Sequence, residues 1–178
     1  SQTVIIDSYK GICIIDPDEE TLLEYKNKKS ELDDEKSRLE KNRYNKAITK
    51  DGRDIDVMTN IGNIEDLEKG LESGAEGVGL FRTEFLYMYN DNFPTEDEQF
   101  KSYKKVVDIL DGKFVIIRTL DIGGDKELPY YKFPKEDNPF LGWRALRFCF
   151  DMKDVFDAQI KAILRGSAFG KIRIMLPM

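Results

Sequence analysis

The chain has 178 residues, 40% of them hydrophobic and 11% aromatic, which suits one domain or a domain with an appendage and allows a real core. A net charge of −6 gives no footing for nucleic acid, and the absence of any histidine removes imidazole catalysis, phosphohistidine chemistry and histidine metal ligation from anything the chain does alone. Cys13 and Cys149 stand far apart with no CxxC spacing, so neither a disulfide framework nor a thiolate zinc site is expected; both read as free packing cysteines of a cytoplasmic protein, with no signal peptide and no membrane insertion.

VIID (4–7), SYKG (8–11) and ICIID (12–16) read as strand, turn and strand. Asp16-Pro17-Asp18-Glu19 then reads as a helix start, with Asp16 as N-cap and Pro17 in the first turn. From there to about Asn45 the chain is nearly all charged or amide residues. Its thin apolar stripe is Leu22, Tyr25, Leu32 and Leu39, so one narrow face can pack. Such a helix is either a linker between domains or an exposed helix on its own domain, and the polarity favours the linker.

A new pattern starts near Ile55. IDVMTNIG (55–62) reads as a strand, and IEDLEKGLESG (64–74) as a helix with Ile64, Leu67 and Leu71 on one face. GVGLFRTE (77–84) is the next strand. PTEDEQFKSYKKVVDIL (94–110) is a helix opened by Thr95 with Glu98 three residues on, the pattern of a capping box. FVIIRTLDI (114–122) is a third strand and NPFLGWRALRF (138–148) starts a helical stretch. The helix at 152–168 points Val155, Phe156, Ile160, Ile163 and Leu164 inward, and KIRIMLP (171–177) is a fourth strand. Alternating strands and helices with apolar strands imply a parallel α/β sheet. A (β/α)8 barrel needs about 250 residues, so four strand–helix units amount to the first half of one, its open edges calling for a second copy or a different closure.

Arg82 ends the second of these strands and Arg118 the third, and both project to one rim, where barrels place their chemistry. Arg144 opens the helix after the third strand, and Lys126 follows Gly123 and Gly124 in the loop between. A guanidinium donates two parallel hydrogen bonds to a phosphate or carboxylate. The paired glycines allow a sharp turn and a close backbone approach to a ligand. The competing reading makes these arginines structural partners of Glu84 and Asp121. Arg147, Arg165 and Arg173 read as structural.

GAEGVGLFRTEFLYM, PTEDEQFKSYK, RTLDIGGDKELPYY, NPFLGWRALR and SAFGKIRIMLPM, in order and nearly end to end, resemble the Enzyme I family of the bacterial phosphoenolpyruvate:sugar phosphotransferase system. That resemblance implies a cytoplasmic, homodimeric parent enzyme. It would move phosphoryl from phosphoenolpyruvate to its own histidine and on to a histidine-containing phosphocarrier protein, which docks on an N-terminal domain absent here. It assigns 1–16 to the last strands of the swivelling histidine domain, 17–45 to the helical linker and 46–178 to the first half of a phosphoenolpyruvate-binding (β/α)8 barrel. Arg82, Arg118 and Arg144 match substrate-binding residues, with Lys126 a weaker candidate. The resemblance places the Mg2+ ligands and the proton-donating cysteine beyond Met178. An internal segment without catalytic residues of its own and without phosphoryl transfer by itself is therefore expected. The alternatives are a non-catalytic anion-binding or assembly module, or a segment of a related pyruvate phosphate dikinase or phosphoenolpyruvate synthase; the DIGGDK loop speaks against the last two.

Overall fold

A computed structural model describes residues 2–124 and 126–178. Ser1, the first residue of the expected 1–16 segment, and Asp125, inside the DIGGDK loop, lie outside the described residues. The chain forms two compact units, Ser1–Lys46 and Ala47–Met178.

In the first unit β1 (Val4–Asp7) pairs antiparallel with β2 (Ile12–Ile15), as expected from the sequence, and α1 (Glu19–Asn42) follows. The helix start differs from the expectation. Asp16 has a left-handed φ of 47° and gives its N–H to the Thr3 carbonyl, so it closes the hairpin. Asp18 is the N-cap, its carboxylate accepting from Thr21 N at 2.7 Å. Among the described residues of α1 none is buried, and Leu32 and Leu39 are exposed. An ion pair ties helix to hairpin: Lys28 Nζ lies 2.5 Å from the buried Asp7 carboxylate, which also accepts from the N–H groups of Tyr9 and Lys10. The Lys28 hydrogen bond holds Asp7 below its ordinary pKa of 3.8. The stabilisation is therefore complete above that value and is lost as pH falls through the lowered one. Cys13, expected to pack, is exposed on this hairpin.

The second unit opens with a short ribbon, β3 (Ala47–Ile48) against β4 (Asp54–Ile55). The strand expected over 55–62 is thus divided: Ile55 belongs to the ribbon, and the parallel sheet begins only at β5 (Thr59–Ile61). Then come α2 (Ile64–Glu72), β6 (Val78–Arg82), the short α3 (Glu84–Met88), α4 (Glu96–Leu110), β7 (Val115–Arg118), a 3-10 turn (Pro139–Leu141), α5 (Ala145–Asp151), α6 (Lys153–Ser167) and β8 (Ile172–Met175). β5, β6, β7 and β8 form one parallel sheet in that order. The mixed α/β class with a parallel sheet stands as read from the sequence. The stretch 138–148 is not one helix, because Gly142–Arg144 interrupts it.

The capping box forms as expected. Thr95 Oγ1 accepts from Glu98 N, and Glu98 Oε2 accepts from Thr95 N at 2.8 Å. The core lies between sheet and helices: Ile61, Val78, Phe81, Val115 and Ile117 meet Leu67, Tyr103, Val106, Leu110, Ala162 and Ile163. A second cluster, Tyr87, Leu120, Ile122, Leu128, Phe148 and Cys149, anchors the long segment after β7, walled by Phe93, Tyr131 and Trp143.

On α6 the inward face is shifted from the expected one. Leu164 is 58% exposed, while Gln159 is fully buried. The apolar period alone could not place them, because an amide took a core position. Ile163→Ala should therefore cost about 2–5 kcal/mol. Its neighbour Leu164→Ala should change stability by about 0.5 kcal/mol or less. Urea unfolding of both variants, read at matched slopes, checks the pair.

Candidate anion-binding site at the strand ends

β6 and β7 run in register so that Arg82 and Arg118 are paired neighbours at the ends of adjacent parallel strands, and Arg118 is paired in turn with Met175 on β8. Side chains alternate across a strand. Phe81 and Ile117, one residue earlier, fill the helix-covered core, so Arg82 and Arg118 leave the opposite face.

Arg118 is flanked by carboxylates. Its Nη2 lies 2.5 Å from Glu84 Oε1 and its Nη1 3.2 Å from Asp121 Oδ2. Lys126 Nζ reaches the same Glu84 oxygen at 2.6 Å, and Arg144 Nη2 reaches Asp121 Oδ1 at 2.6 Å. Glu84 and Asp121 are buried, and the cations are largely so. Two carboxylates thus gather Arg118, Lys126 and Arg144. Arg82 makes no ion pair among the described residues. Its guanidinium lies 5.3 Å from the Phe85 ring centre, and it borders an open hollow of about 460 Å³ with Asn60, Asp66 and Lys69.

The loop after β7 makes this convergence possible. Thr119 N extends the sheet by donating to Met175 O, after which Gly123 N and Lys126 O bond at 3.0 Å across a tight turn. Gly123 has φ 101°, and a Cβ there would stand 2.7 Å from Arg144 Cβ. The close approach that this glycine permits is to the Arg144 chain. That differs from the approach to a ligand expected from the sequence. Ala145 N then bonds Ile122 O at 3.1 Å, which fixes where the Arg144 side chain begins.

Five buried side-chain atoms have no partner among the described residues: Arg82 Nε, Arg118 Nε, Arg144 Nε, Glu84 Oε2 and Thr119 Oγ1. Three are arginine donors from the three residues that the sequence singled out. An unpaired buried N–H costs free energy that an anion's oxygen would recover. Cys149 lies nearby in the second core cluster, but burial, helped by the Asp121 charge, pushes its thiol up to about 12. Arg147 bonds the Leu141 and Gly142 carbonyls, Arg165 pairs with Glu96 and Asp97, and Arg173 covers Phe114. All three are structural, as read from the sequence. Thr83 and Gln159, buried behind the arginines, carried no sequence signal.

Residues 36–178 match the family described as PEP-utilising enzyme, PEP-binding domain. The chain is 50% identical over 175 residues to a phosphoenolpyruvate-protein phosphotransferase of Staphylococcus epidermidis, covering 98% of this chain and 31% of that protein. The proteins of the same name from Staphylococcus carnosus and Bacillus subtilis are each 49% identical over 176 residues, covering 99% of this chain and 31% of theirs. The chain thus spans about a third of the length of these relatives.

The two thiols should separate cleanly. At pH 8, with a pKa of about 12, only on the order of one Cys149 in 10⁴ is thiolate. Iodoacetamide at that pH should label Cys13 and leave Cys149 unmodified until the chain is unfolded, as mass spectrometry of the peptides would read.

Proposed function

The chain belongs to the PEP-utilising enzymes, as their PEP-binding domain, and from that premise we propose that it carries phosphoenolpyruvate recognition for a phosphoenolpyruvate–protein phosphotransferase. The observation that carries this reading is the set of three buried, unpartnered Nε donors on Arg82, Arg118 and Arg144. Phosphoenolpyruvate presents a phosphate and a carboxylate, and several guanidinium forks at different angles suit such a ligand. In this reading Arg118 and Arg144, pre-aligned by Glu84 and Asp121, take one anionic group with help from Lys126. Arg82, free of ion pairs among the described residues, takes the other. Cations fixed in advance offset charge on a transferring phosphoryl without reorganising, which is the main source of catalysis in such reactions.

The rest of the reading concerns the parent enzyme. Phosphoryl passes from phosphoenolpyruvate to a histidine outside this chain and on to a phosphocarrier protein, in a cytoplasmic homodimer serving sugar uptake. The sheet of β5 to β8 is half of a (β/α)8 barrel, and α1 is the linker leading into it. Mg2+ belongs to the parent's chemistry, where it would offset charge on the phosphate. The described residues do not fit it: no group of three or more His, Cys, Asp or Glu side chains gathers within metal reach among them, and Glu84 and Asp121 are each held by cations. Its ligands are proposed to come from outside this sequence.

Calorimetric titration of the chain with phosphoenolpyruvate tests the reading. Binding is expected, weakened at least tenfold in Arg118→Ala and in Arg82→Ala, and falling with added salt. Arginine variants that bind like the unaltered chain would overturn the assignment of the site. Incubation with phosphoenolpyruvate and Mg2+ should leave the chain itself unphosphorylated.

A further inference from the structure

Behind the arginines lies a polar core that the binding reading does not use. Gln159, on α6, is completely buried. Its Oε1 accepts the Leu120 N–H at 2.8 Å, and its Nε2 donates to Thr83 Oγ1 at 3.1 Å and to Tyr103 OH at 3.2 Å. Thr83 Oγ1 in turn donates to the Arg118 carbonyl at 2.8 Å. Tyr103 OH donates to Gln99 Oε1 at 3.0 Å, Tyr87 OH donates to the same oxygen at 3.1 Å, and Gln99 Nε2 donates to the Pro94 carbonyl at 3.0 Å.

The donor and acceptor inventory closes in only one sense. The Leu120 N–H demands an oxygen, which fixes the Gln159 amide orientation. Its two N–H hydrogens then serve Thr83 and Tyr103. Those hydroxyls, each accepting from Gln159, send their single hydrogens onward to Arg118 O and Gln99 Oε1. Burial raises the hydroxyl pKa of Tyr103 and of Tyr87 far above neutrality, so both stay donors at any working pH.

Thr83 is the residue directly after Arg82, and Leu120 is two residues after Arg118. One buried amide therefore grips the chain just past both arginines, beyond the point where β6 and β7 end. We propose that Gln159 is a positioning residue of the anion site, which sets the relative placement of Arg82 and Arg118 by tying their two strand ends together through Leu120 N and Thr83 Oγ1. This rests on the binding reading for its consequence, but the tie itself is a property of the free chain. A core filler at this position would need no hydrogen bond, and Met would serve as well. A tie needs both the oxygen and the nitrogen of the amide.

The test compares Gln159→Met with Ile163→Ala, one turn along α6, which opens the core without touching the tie. Nitrogen-15 NMR reads the Leu120 amide exchange rate and the Nε–H resonances of Arg82 and Arg118; calorimetry reads phosphoenolpyruvate affinity. In Gln159→Met the Leu120 amide should exchange at least tenfold faster, both Nε–H resonances should move, and affinity should fall at least tenfold. In Ile163→Ala the resonances and affinity should hold within twofold despite its lower stability. If Gln159→Met does not fold, Thr83→Val stands in, with Thr83→Ser expected to restore the wild-type resonances. Unmoved arginine resonances, or unchanged affinity with a deprotected Leu120 amide, would overturn the proposal. A wild-type chain that binds no phosphoenolpyruvate would sink the binding reading alone, and the arginine resonances would still decide the tie.

Discussion

A charge that leaves water must find an opposite charge within hydrogen-bond reach. Arg118, at the end of a strand whose preceding residue is fully buried, imposes that condition on everything after it. Asp121 returns three residues later to meet it, and Glu84 arrives from the end of the neighbouring strand. Asp121 has a second oxygen to satisfy, which Arg144 takes, and the Arg144 chain can come that close only because Gly123 carries no Cβ. The turn at Gly123 and the return of the chain at Arg144 thus serve the ion pairs around one strand-end guanidinium.

The same pairing shapes what the cluster can do. Breaking a buried ion pair by removing one member is strongly destabilising, so Glu84 and Asp121 keep Arg118, Lys126 and Arg144 in fixed directions while no ligand is present. Yet the pairs engage the terminal nitrogens only. The Nε atoms of Arg118 and Arg144 stay buried and unpartnered, as does that of Arg82. The two readings posed by the sequence, structural ion pairs or anion forks, are therefore not exclusive. In Arg118 and Arg144 the terminal nitrogens are spent on structure, and the Nε donor is not.

Local rules were legible and nonlocal ones were not. Thr95 and Glu98 lie three residues apart and satisfy each other, so their capping box could be read directly. Asp16 failed as a cap because its backbone answers to Thr3, thirteen residues back, which spacing near Pro17 cannot reveal. The strand at 55–62 was split because Ile55 pairs with Ala47 across a turn made of polar residues. Leu164 was expected inward and Gln159 went unread for a related reason: the partners that make a buried amide tolerable, Leu120 N and Thr83 Oγ1, lie 39 and 76 residues away. Arg82 and Arg118 were legible as a pair because parallel strands of similar length end together. The role of Gly123 toward Arg144 was not, since it depends on where the chain returns twenty-one residues later.

Why should a core of this size spend its centre on amides and hydroxyls rather than on more leucine? Parallel strands satisfy one another's backbone groups only as far as the ladder runs, and buried groups past it still need partners. At the end of β7 the ladder yields: Thr119 N finds Met175 O, but Leu120 N donates to a side chain, Gln159, and Arg118 O accepts from another, Thr83. Apolar packing cannot answer a buried N–H. Gln159 answers one and, through Thr83, supports the acceptor on the other side, so the polar centre lies where strand geometry runs out and the arginines begin. The arginine cluster and the amide behind it share one place, the rim where the strands of a parallel sheet stop.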